Sequence, residues 1–81
     1  MSTSRICMVT AYSDEFWLAT TIEGGHTKLC EETIQSPQDL GHHLLAFTPC
    51  LVRIHGTGDR ARAFYAMACL MPGCTVELVF R

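Results

Sequence analysis

The segment from Cys50 to Phe80 constrains this chain more than any other. It runs from an apolar strand-like stretch, Cys50–His55, into Gly56-Thr57-Gly58, then a helix-forming stretch of roughly Arg60–Met71. Pro72-Gly73 follows as a stop, and a second strand-like stretch, Thr75–Phe80, comes last. A strand, a glycine turn, a helix and a further strand specify a βαβ unit, and the glycine turn lies at a helix N-terminus, where backbone N–H groups favour anions. In the first strand Cys50, Val52 and Ile54 form the apolar set. In the helix Ala61, Phe64, Tyr65 and Ala68 form the expected core stripe, and Asp59 or Thr57 is the expected cap. Met67, Leu70 and Met71 widen the apolar surface beyond that stripe. In the last strand Val76, Leu78 and Phe80 are expected to point inward and Thr75 and Glu77 outward.

The N-terminal half reads as a meander. Arg5–Tyr12 is apolar on both alternating sets, Ile6, Met8, Thr10 and Tyr12 against Cys7, Val9 and Ala11, which predicts a central strand in a sheet covered on both faces. Ser13-Asp14 supplies a turn, and Phe16–Ile22 alternates as the second strand of a hairpin. Glu23-Gly24-Gly25-His26 is another turn. In the following strand, Thr27–Ile34, Glu31 and Glu32 would guard an exposed edge. Ser36-Pro37-Gln38-Asp39 then combines an N-cap serine, a proline at the first helical position and an acid at the third. Leu40, Leu44 and Phe47 make the buried stripe of that helix, which Gly41 and Thr48-Pro49 keep short.

The expected fold is therefore a single α+β or α/β domain over residues 1–81, a five-stranded mixed sheet in the order β-β-β-α-β-α-β with helices packed on it. That order resembles the ribonuclease-H-like core. More narrowly, Leu51-Val-Arg-Ile-His-Gly-Thr-Gly58 and the later Pro-Gly-Cys-Thr-Val-Glu-Leu-Val79 look like the N-terminal part of DEDD-type transposases. The resemblance implies two metal ions held by an acid in the first strand and another at the end of the fourth. Thr10 and His55 stand at those places, so the catalytic acids are absent.

Charge is polarised: residues 1–40 carry six acids against two bases, and residues 41–81 two acids against four bases. With a net charge of −2 and no clustered basic face, this argues against nucleic acid and for a specific protein partner. No stretch reaches the length of a membrane span and no apolar signal segment opens the chain, so a cytoplasmic setting is expected. Five cysteines without a CxxC pair read as buried free thiols, with Cys69 and Cys74 as the one local pair to test.

Functional candidates are few. His55 with Asp59 could make an acid–base pair approached by Thr10 or Ser13, although no serine or cysteine sits in a nucleophile elbow. His42 and His43, with His26 and Cys30, suggest a metal only by residue type and read as ordinary surface groups. Gly56, Thr57 and Gly58 could cradle an anion with Arg60 or Arg62, but without the third glycine or the lysine of established phosphate loops. Three readings result. The first is a non-enzymatic protein-binding module acting on a protein or macromolecular complex through Trp17, Glu31, Glu32, Arg60, Arg62, Met67 or Met71. By size and mild acidity it would suit a small phage-encoded inhibitor of the anti-CRISPR type, and a homodimer is compatible with it. The alternatives are a degenerate or fragmentary ribonuclease-H-like nuclease or transposase domain, and a small anion or nucleotide binder at the glycine loop. No catalytic set, metal or cofactor is expected.

Overall fold

The computed structural model describes residues 4–79. Along the chain the elements are β1 (Arg5–Ala11), β2 (Trp17–Glu23), β3 (Thr27–Ile34), α1 (Pro37–Leu45), β4 (Cys50–His55), α2 (Gly58–Leu70) and β5 (Cys74–Val79). In space the strands form one mixed sheet ordered β3-β2-β1-β4-β5. The meander is antiparallel, whereas β4 runs parallel to both β1 and β5. The inward position expected of Phe80 lies outside the described residues.

Local chemistry accounts for the helices. Ser36 caps α1 through a full capping box: its hydroxyl accepts from the Asp39 N–H, and the Asp39 carboxylate accepts from the N–H groups of Ser36 and Gln35. Those backbone donors hold the Asp39 carboxyl below its ordinary pKa. Thr57 is the N-cap of α2 in an extended conformation, but its side chain makes no capping bond, and Asp59 does not replace it.

A single core joins both helices to one face of the sheet, with Cys7, Val9, Trp17, Ala19, Ile34, Cys50, Val52 and Ile54 meeting Leu40, Leu44, Ala61, Phe64 and Ala68. The expectation of a sheet covered on both faces is corrected here. Ile6, Met8, Leu18, Ile22 and Leu51, on the opposite alternation, are only half-buried and shield one another across neighbouring strands. The Arg53–Glu77 ion pair, at 2.9 Å, lies on this same open face.

Three further expectations change. Tyr65 is exposed, so the α2 stripe reduces to Ala61, Phe64 and Ala68. Phe47 lies beyond the end of α1 and is only half-buried. Gly41 does not shorten α1: it is buried inside the helix, and a Cβ there would stand 3.3 Å from the Met67 sulfur, so it lets α2 approach closely.

Candidate functional site

The glycine turn between β4 and α2 is shaped by a side chain beneath it. Gly56 has φ +152°, and a Cβ on it would come within 2.7 Å of the Trp17 ring, which itself packs on Phe64 at 5.2 Å. The Gly56 N–H donates to the Val79 carbonyl, so one amide of the turn already serves the β5 edge. Arg60 donates to the carbonyls of Asp14, Glu15 and Gln35, tying the β1–β2 loop to the start of α1. Arg62 and Asp59 stand in solvent 4.0 Å apart. Trp17, at 6% exposure, is a core residue, which removes it as an interface anchor.

Thr10 and His55 are direct partners in the β1–β4 register, at the point where the chain leaves the sheet in opposite directions. The His55 Nε2 is buried without a hydrogen-bond partner among the described residues. Asp59 does not join it. The Ser13 hydroxyl accepts from the Phe16 N–H within its own turn. The pairing of His55 with Asp59, open as an alternative in the sequence, is thus not assembled.

The densest polar chemistry lies elsewhere, between the edge strand β3 and α1. His43 is 3% exposed rather than a surface residue. Its Nε2 is 2.6 Å from the Thr21 hydroxyl, and its Nδ1 makes a close hydrogen-bond contact with the Glu32 carboxylate. With the ring neutral, one assignment satisfies every group: Thr21 O–H donates to Nε2, and Nδ1–H donates to Glu32. Glu32 is therefore engaged inward, whereas Glu31 takes the edge-guarding role and pairs with Lys28 and Thr20. Lys28 and its hydrogen bond hold the Glu31 carboxyl below its ordinary value.

This Glu–His–hydroxyl line has the same sequence of contacts as a nucleophilic triad. It does not present a nucleophile, because the Thr21 side chain is fully buried and no substrate carbonyl can reach it. Below it, burial pushes the Cys7 thiol up to about 11, against a hydrogen bond with Thr21 that acts the other way. The chain of contacts from Cys7 to Glu32 satisfies polar groups that would otherwise be costly to bury.

Above His43 an open pocket of about 500 Å³ is lined by Cys30, Glu32, Asp39, His42 and Phe47, among others. Cys30 faces Thr21 across the β2–β3 ladder, so its sulfur shares the covered side with Glu32. One donor atom each from Cys30, Glu32 and His43 fall within 4.8 Å of one another. Sequence reasoning grouped His43 and Cys30 as metal candidates by residue type alone, set Glu32 apart from them as an edge guard, and did not single out Thr21. The available signal was the parity of Cys30 and Glu32 on one strand face, but nothing in the sequence told which turn of α1 would cover it.

A second concavity, about 300 Å³, runs between α1 and α2 and is lined by Gln38, Gly41, Leu45, Met67, Met71 and Pro72. Leu45 and, at the end of α2, Leu70 are 65% and 76% exposed. Of the residues expected at an interface, Met67 and Met71 are thus brought together, whereas Arg60 and Glu32 are held in internal contacts. Among the thiols, Cys7 and Cys50 are buried and Cys69 is exposed. The close pair is Cys50 with Cys74, sulfurs 3.9 Å apart on neighbouring strands, and not Cys69 with Cys74. No helix among the described residues is long and apolar enough to cross a membrane. No protein-family model matches the chain, and a search of curated proteins finds no match.

Proposed function

We propose that this domain is a protein-binding module that receives one or two large apolar side chains of a partner protein in the groove between α1 and α2. The observation that carries this reading is the groove itself, a methionine-lined concavity of about 300 Å³ with exposed Leu45 on its rim. Methionine is unbranched and polarisable, and so adapts to apolar partners of differing shape. The groove is too small to bury the roughly 800 Å² per partner of a stable globular interface. Its size suits the anchor residues of an amphipathic helix, repeated at i and i+3 or i+4, which is a known mode of peptide capture. A small phage-encoded inhibitor of the anti-CRISPR type is a narrower form of this proposal, resting on size and mild acidity. A ribonuclease-H-like ancestry is a proposal about the fold, supported by an antiparallel meander extended by two parallel strands. The Thr10–His55 pair then stands where that resemblance would place acids.

The methionines provide the test. Peptides selected for binding are added to protein carrying 13C-labelled methionine methyls. Binding in the groove shifts the Met67 and Met71 signals and leaves Met8, on the open sheet face, in place. Met71→Glu, with its fold checked by circular dichroism, should weaken the selected peptides by at least about tenfold, the loss of one well-buried anchor contact. Peptides that shift Met8 alone, or that bind Met71→Glu as well as the parent, would overturn the assignment.

A further inference from the structure

We propose that Cys30, Glu32 and His43 form a zinc site, with three protein ligands and a fourth position open to the pocket between β3 and α1. The three donor types, thiolate sulfur, carboxylate oxygen and imidazole nitrogen, are those that zinc takes together, and magnesium or calcium would not choose the sulfur. The geometry is near what the ion requires. Zinc–ligand bonds of about 2.0–2.3 Å in a tetrahedron put donors about 3.3–3.7 Å apart. The donors here lie within 4.8 Å of one another, and His43 Nδ1 and Glu32 are already closer than a shared ion would hold them. Small rotations of Cys30 and Glu32 complete the adjustment. Cys30 is half-buried and the Glu32 side chain is about half exposed, so both have room to turn once the ion takes the place of the Glu32–His43 hydrogen bond.

His43 is the fixed member. Carried by α1 and buried against the sheet, it has its second nitrogen 2.6 Å from the Thr21 hydroxyl, an outer partner of the kind that orients a metal-binding imidazole. Zinc displaces the Cys30 thiol proton and takes the Nδ1 lone pair. The imidazole proton then resides on Nε2 and is donated to Thr21, whose hydroxyl turns from donor to acceptor. Imidazole stays neutral, so one proton per zinc leaves the protein. The remaining coordination position faces the pocket of about 500 Å³, where water or a small anionic ligand can enter beside His42 and Asp39.

The experiment is a competition titration of zinc against a chromophoric chelator, using reduced, metal-stripped protein. Calorimetry in buffers of different ionisation enthalpy accompanies it. One equivalent of zinc is expected, with about one proton released per ion. Cys30→Ser and Glu32→Gln should each weaken binding by at least about tenfold, because loss of even an outer-sphere partner typically costs that much. Cys74→Ser, which removes half of the close Cys50–Cys74 thiol pair, should bind as the parent does. With cobalt as probe, the sulfur-to-metal charge-transfer band should persist in Cys74→Ser and vanish in Cys30→Ser. The proposal is overturned if the parent retains no zinc against a micromolar chelator. It is equally overturned if folded Cys30→Ser and Glu32→Gln bind like the parent, or if Cys74→Ser is the variant that loses the metal.

Discussion

Replacing Gly56 by alanine should be among the most damaging small changes in this domain, and two separable terms set its size. The first is backbone: at φ +152° an L-residue occupies a region that glycine alone visits readily, at a cost of about 1–3 kcal/mol. The second is steric, since the new methyl would lie 2.7 Å from one atom of the Trp17 ring and 3.3 Å from the next. Trp17 cannot retreat, because it is buried against Phe64 at 5.2 Å, and such overpacking typically costs about 1–3 kcal/mol. Together they amount to about 2–6 kcal/mol, against a total of about 4–12 kcal/mol for a domain of this length. A melting point lower by about 10 °C or more follows. Gly24→Ala is the control for the first term, since Gly24 has φ +68° and nothing within 4 Å of a Cβ. Trp17→Phe is the control for the second, because it deletes the ring atoms that meet the methyl. Urea unfolding followed by far-ultraviolet circular dichroism measures the parent, the three single variants and the Gly56→Ala/Trp17→Phe double variant. Alanine at position 56 should cost more than at 24, and its cost should shrink by about 1–3 kcal/mol in the Trp17→Phe background. Equal costs at positions 56 and 24, or a cost independent of Trp17, would refute the account of the turn.

Thr21→Val keeps the shape of a fully buried side chain but leaves His43 Nε2 without a partner, so urea unfolding should show a loss of about 1–3 kcal/mol. Ser36→Ala should cost about 0.5–2 kcal/mol by removing the hydroxyl that caps α1, seen as a lower urea midpoint at unchanged m-value. Stability should fall as pH rises above about 9, because the buried thiols of Cys7 and Cys50, pushed up to about 11 and about 12 by burial, stay protonated in the fold while the unfolded chain ionises. The contribution is complete below the unfolded thiol range and is gone above the folded values; Cys7→Ala with Cys50→Ala should flatten this alkaline limb in pH-dependent melts. Asp39 gives the opposite sign: its depressed carboxyl supports the fold above the ordinary aspartate range and is lost as pH falls through the folded value, so Asp39→Asn should reduce acid sensitivity.

What was legible in the sequence was whatever rests on neighbours along the chain. The bounds of β3 and β4 and the capping box of α1 follow from alternation and from Ser36, Pro37 and Asp39, all local signals. The one-sided covering of the sheet was not legible, because half-buried Ile6 and Met8 on an open face carry the same residue types as a doubly covered strand. Gly41 misled for a related reason: as a helix residue it is unfavourable, and only the position of Met67 on another helix shows why α1 carries it.

The polar site shows most clearly where parity reading stops. By simple alternation Lys28 belongs with Cys30, Glu32 and Ile34, which would bring an ammonium group to the side that carries His43. The β2–β3 register instead shifts between Thr21 and Ile22, leaving Leu29 as the extra residue, so that Cys30 opposes Thr21 while Lys28 opposes Ile22. One inserted residue reverses the facing of everything beyond it. Lys28 is thereby turned to the open face, where it bonds to Glu31, and the covered side keeps a thiol, a carboxylate and an imidazole without a competing cation from that strand. Alternation alone places the lysine wrongly, and the error falls on the group whose charge would most oppose a bound metal. The bulge, rather than any motif, therefore gives this corner the donor set on which the zinc proposal rests.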